Sequence, residues 1–170
     1  MVRVFGGLRR RKEIGRNMKK VILFALAAML LLGAGCAPKT AKTVEPQEVA
    51  QKLISSVKFA DQMSQIETKT ALKLYGLDEN TVAKASVYES TGATAEEVAA
   101  FEAKDETASA KVKEAVQKRI EDQRAGFQDY QPKEMEKLKS PVVESSGKYV
   151  ILCVSDDNSN AKKIIEGFLK

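Results

Sequence analysis

The chain has 170 residues, with 28 Lys or Arg against 23 Asp or Glu, two cysteines, no histidine and no tryptophan. Without His, Ser-His-Asp triads of the usual kind, Cys-His nucleophilic pairs and most zinc sites are excluded. The formal charge of +5 comes from the first 35 residues, which carry eight Lys or Arg and one Glu. Removing them leaves 20 basic and 22 acidic residues in the remaining 135, a net of −2, so no nucleic-acid footprint survives.

Residues 1–17 form a basic preface containing Arg3, Arg9, Arg10, Arg11, Lys12 and Arg16. Lys12-Glu13 is encodable as a ribosome-binding sequence shortly before Met18, so residues 1–17 are expected to lie upstream of the true start. From Met18 the order is that of a lipoprotein leader. Lys19 and Lys20 supply charge, Val21 to Leu32 is an apolar run of twelve, and Gly33-Ala34-Gly35 precedes Cys36. Twelve residues suit a secretory h-region and fall short of the roughly 20 that a spanning helix needs. Small residues before the cysteine let the backbone enter a peptidase and the thiol reach a lipid donor; Gly33 stands where the usual pattern has Leu. The expectation is a signal peptide over 18–35, cleavage between Gly35 and Cys36, and a diacylglyceryl anchor on Cys36. Two acyl chains hold a membrane where one does so only marginally. Residues 36–45 are polar after the cysteine and contain Pro38, which suits a short tether.

The folded part is expected over 46–170. Pro46 opens a helix whose stripe is Val49, Leu53 and Val57 with Ala50 and Ile54. Residues 60–72 are less patterned, with Met63 and Ile66 the inward candidates. Val82 to Glu89 predicts a strand with Ala83, Ala85 and Val87 on one face, and Ser90 to Thr94 is turn chemistry. A second strand is expected over Val98 to Ala103, then a helix over Thr107 to Arg124 bearing Val112, Val116 and Ile120. Gly126, Phe127, Tyr130 and Pro132 are expected to break that helix before a short one over Pro132 to Leu138. Val142-Val143 begins a third strand, Tyr149 to Val154 forms a fourth, and Asp156 to Asn160 caps a last helix carrying Ile164, Ile165, Phe168 and Leu169. Val87-Tyr-Glu-Ser-Thr-Gly92 resembles Val142-Val-Glu-Ser-Ser-Gly147. The fold class is therefore α+β: an antiparallel sheet of about four strands from two β-hairpin-plus-helix units, helices on one face, and an N-terminal helix.

Candidate chemistry is sparse. Asp156-Asp-Asn-Ser-Asn160 alternates like a calcium loop, but Ala161 replaces its glycine and Gly167 its bidentate Glu, so a turn and helix cap is the reading and no metal site is expected. Glu89, Glu96 and Glu97 near the first hairpin have the residue type for acid–base work, yet read as exposed turn carboxylates. Phe127, Tyr130 and Pro132 form either an interaction surface or packing under the long helix. Cys153 reads as a buried apolar filler rather than a reactive thiol. No catalytic residue and no cofactor is expected.

Phe59-Ala-Asp-Gln-Met63, Leu74-Tyr-Gly-Leu-Asp78, Glu89 through Glu97, Gln123-x3-Phe127-x2-Tyr130-x-Pro132 and Tyr149 through Asp157 together resemble a family of lipoproteins of unknown function from Clostridia and related Gram-positive bacteria. The resemblance covers about 46–170. It implies a lipoprotein on the outer face of a single membrane and brings no catalytic residues. It also implies an accessory role in modifying envelope polymers. The expected function is a membrane-anchored, extracytoplasmic, non-enzymatic binding module with an envelope protein or polymer as partner. The alternative is a small-ligand-binding lipoprotein serving a transporter.

Overall fold

The structure is a computed structural model that describes residues 43–170. The upstream segment 1–17, the leader 18–35 with Gly35, and Cys36 lie outside the described residues.

Val44 is already buried, and α1 (Pro46–Ser56) follows with Pro at its first turn, where the missing N–H has no helical partner to lose. α1 turns Val49, Ala50 and Leu53 inward; full burial of a Val or Leu side chain contributes about 1.5–3 kcal/mol. Strand β1 (Ser64–Ile66) and helix α2 (Thr68–Tyr75) come next, α2 ending on Gly76 in the left-handed region at φ 65°. Gly76 N–H reaches Lys73 O and Leu77 N–H reaches Leu72 O, which close the helix end in a Schellman turn. Then follow β2 (Val82–Glu89), β3 (Glu97–Ala103), α3 (Glu106–Tyr130), a 3-10 turn (Pro132–Glu134), α4 (Met135–Lys139), β4 (Val142–Ser146), β5 (Tyr149–Val154) and α5 (Asn158–Leu169). Asp105 caps α3 by accepting the Ala108 N–H at 2.7 Å.

The five strands form one antiparallel sheet in the order β1-β2-β3-β5-β4. The α+β class with an antiparallel sheet and an N-terminal helix packed on it matches the sequence expectation. Two of its details change. Among the described residues the strand count is five, because β1, only three residues long and without apolar alternation, adds an edge. The helices cover both faces rather than one. Every residue of β3 and β5 is buried, so these central strands need cover on each side. Val98, Ala100, Ile151 and Cys153 meet α1 and α5, whereas Ala99, Phe101, Val150 and Leu152 meet α2, α3 and α4. The two hairpin-plus-helix units exist, joined through β3 and β5, but they send α3 and α5 to opposite faces.

Local differences have similar causes. A bulge at Ala83 leaves that residue exposed and sets Val82 opposite Ala103, so Val82 joins Ala85 and Val87 on the core side in its place. Helix α3 runs through Gly126 to Tyr130, because Arg124 donates to Leu138 O at 3.0 and 2.7 Å and Phe127 packs on the core. Asp157, at the start of α5, makes no side-chain capping bond; Asn160 instead donates to Ser56 O at 2.7 Å and ties α5 to α1.

An ion-pair chain lies where the chain enters the domain. Glu45 meets Lys84 at 2.5 Å, Lys84 approaches Glu102 at 3.9 Å, and Lys148 meets Glu102 at 2.5 Å.

Candidate polar cleft at the β2–β3 hairpin

The opposite end of β2 and β3 carries the densest polar cluster. The register sets Glu89 directly across from Glu97. Like charges facing each other across a ladder are destabilising unless something stands between them. Arg119, from the buried side of α3, does so. Its Nη2 donates to Glu89 Oε1 at 2.8 Å and to Glu97 Oε2 at 2.7 Å, and its Nε donates to Glu97 Oε2 at 3.0 Å. Tyr75 at the end of α2 donates its hydroxyl to Glu97 Oε1, while its ring meets Phe101 edge-on at 4.9 Å. Gln123, one turn beyond Arg119, donates to Glu97 Oε2 at 2.8 Å.

Glu96 turns to a second network. It accepts the N–H groups of Ala60 and Asp61 at 2.9 to 3.0 Å and the Thr94 hydroxyl at 3.2 Å, and faces Lys137 at 3.1 Å. Lys137 also meets Glu134, and Glu134 accepts the Ala95 N–H at 2.9 Å. Asp61 accepts both the N–H and the hydroxyl of Thr91, which fastens the loop before β1 to the hairpin tip. The sequence reading of Glu96 and Glu97 as exposed turn carboxylates is therefore corrected. They are 2% and 0% exposed, each held by groups from several segments. A signal was present in the sequence, since Glu97 opens a strand whose next four residues, Val98 to Phe101, are all apolar.

Between the hairpin and α3 lies a cavity of about 410 Å³, lined by Glu89, Thr91, Glu97, Arg119, Gln123 and Phe127 among others. Burial, then the charge of Glu97, pushes the Glu89 carboxyl above its ordinary value, and Arg119 only partly offsets this. For Arg119, burial works against the charge, but Glu97 outweighs it and the guanidinium is held more firmly protonated. Burial and then Glu97 push the Tyr75 phenol well up, so it serves as a hydrogen-bond donor and not as a base. Asp61 is held below the usual range by the Thr91 hydroxyl first and by the Gln62 N–H next.

Phe127 lines this cavity and also packs on the core. Tyr130, 66% exposed, stands beside it with ring centroids 6.2 Å apart. Pro132 opens the 3-10 turn on the surface. Cys153 is buried, its thiol pushed up to about 12 by desolvation. Among the described residues, no three His, Cys, Asp or Glu side chains come together as metal ligands. No helix among the described residues is long and apolar enough to cross a membrane.

No curated protein and no solved structure matches the chain. A family model does, over residues 55–155, a span that holds all five strands and the whole cleft. The chain thus belongs to the family described as Domain of unknown function (DUF4358).

Proposed function

We propose that the protein is a membrane-anchored extracytoplasmic lipoprotein that works as a non-enzymatic binding module in the cell envelope. The anchoring rests on the charged, apolar, small-residue and cysteine order of residues 18–36. The binding rests on one observation, the cleft at the β2–β3 hairpin. It is open, ionic and flanked by Phe127 and the exposed Tyr130. An aromatic pair beside a charged concavity is a common way to hold a protein or polymer segment. The partner under this reading is an envelope protein or polymer, and the address is the outer face of the cell membrane.

The cleft's volume also favours a second reading, a small-ligand carrier serving a transporter, because small-molecule sites run from about 300 to 1,000 Å³. Fractionating cells that express the Cys36→Ala variant, with a radiolabelled fatty acid in the medium, tests the anchor. The expected result is loss of label and either release from the membrane or accumulation of unprocessed precursor. Labelled, mature-size Cys36→Ala protein in the membrane fraction would overturn it.

A further inference from the structure

Between Val57 and Ala71 the chain passes from one face of the sheet to the other. Val57 belongs to the core under α1 and α5, and Ala71 to the core under α2, α3 and α4. The crossing runs around the sheet's edge, where it forms β1. From Lys58 to Glu67 no residue is buried. Phe59 packs on one core and Ile66 on the other, and the rest of the grip comes from hydrogen bonds. β1 offers only three ladder pairs, Ser64 with Glu89, Gln65 with Tyr88 and Ile66 with Val87. Glu96 accepts the N–H groups of Ala60 and Asp61, and Asp61 accepts the N–H of Thr91 at 3.0 Å and its hydroxyl at 2.5 Å. A segment with so little buried apolar surface opens far more cheaply than the whole domain unfolds. β3 and β5, buried at every residue, stand at the other extreme.

The residues that this segment grips are also one wall of the cleft. Glu89, Thr91 and Glu96 line the cavity from the hairpin, and Arg119, Gln123 and Phe127 line it from α3. Glu89 is held from elsewhere by Arg119, and Glu96 by Lys137. Thr91 is different. Among the described residues, its only side-chain partner outside its own hairpin is Asp61. We propose that residues 58–67 are a strap that opens as a unit while the rest of the domain stays folded, and that its grip on Thr91 sets where the hairpin tip stands against the cleft. Opening leaves Glu89 and Glu96 on their cations and frees the tip to move away from α3. The strap thereby governs the width of the cleft on the Thr91 side. This role as a gate rests on reading the cleft as the binding site; the opening itself does not.

The test is amide hydrogen exchange of the full-length protein in detergent micelles, read residue by residue by NMR with no ligand added. Three amides report directly: those of Ala60 and Asp61, donated to Glu96, and that of Thr91, donated to Asp61. They should share one protection factor, at least about a hundredfold below that of Val98–Phe101 in β3. Low urea should leave it unchanged, because a local opening exposes little surface. Asp61→Ala removes both bonds to Thr91 and leaves the Ala60 bond to Glu96 in place. It should nonetheless speed exchange at Ala60 by about tenfold, with β3 unaffected. Should that variant fail to fold, Thr91→Val, at an exposed position, removes the hydroxyl alone and should speed Ala60 by about threefold. Protection equal to that of β3, three unrelated protection factors, an unchanged Ala60 in the folded variants, or equal acceleration of β3 would overturn the inference. Such a failure leaves the cleft as a binding site standing, and a cleft that binds nothing leaves a measured opening standing.

Discussion

Glu89 and Glu97 face one another across the β2–β3 ladder, and a single guanidinium nitrogen of Arg119 lies 2.8 Å from one and 2.7 Å from the other. That nitrogen is the one group bridging the two carboxylates, while Tyr75 and Gln123 add donors to Glu97 alone. Glu97, with 1% of its side chain exposed, has no water to fall back on if the cation leaves.

Removal of Arg119 is therefore the most damaging single change expected in the cleft. Breaking one side of a buried ion pair costs about 3–5 kcal/mol in general. Urea unfolding of Arg119→Met should show a loss of that order. Arg119→Lys should recover only part, because an ammonium cannot span the two carboxylates as a guanidinium does. The double variant Arg119→Met, Glu97→Gln should be more stable than the sum of its single changes implies. Additive losses would refute the account of Arg119 as the separator of two charges.

Glu89 gives a pH dependence with a definite sign. Its carboxyl is raised above 4.5 in the folded state, by burial first and by Glu97 next. A raised acid stabilises the fold fully below its unfolded pKa, and that contribution fades as pH rises through the folded value. Ionising Glu89 therefore works against the fold towards neutral pH, with Glu97, Arg119 and Asp122 as its charged surroundings. The stability of Glu89→Gln relative to the natural protein should improve between about pH 4 and pH 7. A difference that stays flat, or moves the other way, contradicts the shift.

Cys153 should be silent towards thiol reagents in the folded protein. Its thiol is pushed up to about 12 by desolvation, so almost no thiolate exists at neutral pH. Iodoacetamide at pH 8 should label it only after denaturant is added. Fast labelling of the folded protein would place Cys153 at an accessible surface, against its burial between α1, α5 and the sheet.

The sequence carried some of this plainly and some not at all. Val82 to Glu89 and Tyr149 to Val154 read as strands with the bounds they have, because β-branched and apolar residues are closed off by turn chemistry on at least one side. The sheet face taken by each helix was not legible. An apolar stripe such as Val49, Ala50 and Leu53 shows that a helix has an inner side, and says nothing about which side of a sheet receives it. The unalternated burial of β3 and β5 held that information. The cleft stayed hidden for a different reason. Glu96 and Glu97 are buried because Ala60, Tyr75, Arg119, Gln123 and Lys137 converge on them from distant segments, and no local pattern records such a meeting. Phe127 stood out as an aromatic near a proline in an expected helix-breaking loop, whereas it lies within α3 and lines the cleft.

The ion-pair chain of Glu45, Lys84, Glu102 and Lys148 marks the pole at which the polypeptide arrives. Along β2, Glu89 lies five residues on from Lys84, about 17 Å at the usual strand rise. The entry ion pairs and the cleft thus sit at opposite ends of β2, so substitutions at Lys84 and at Glu89 should add in their effects on stability.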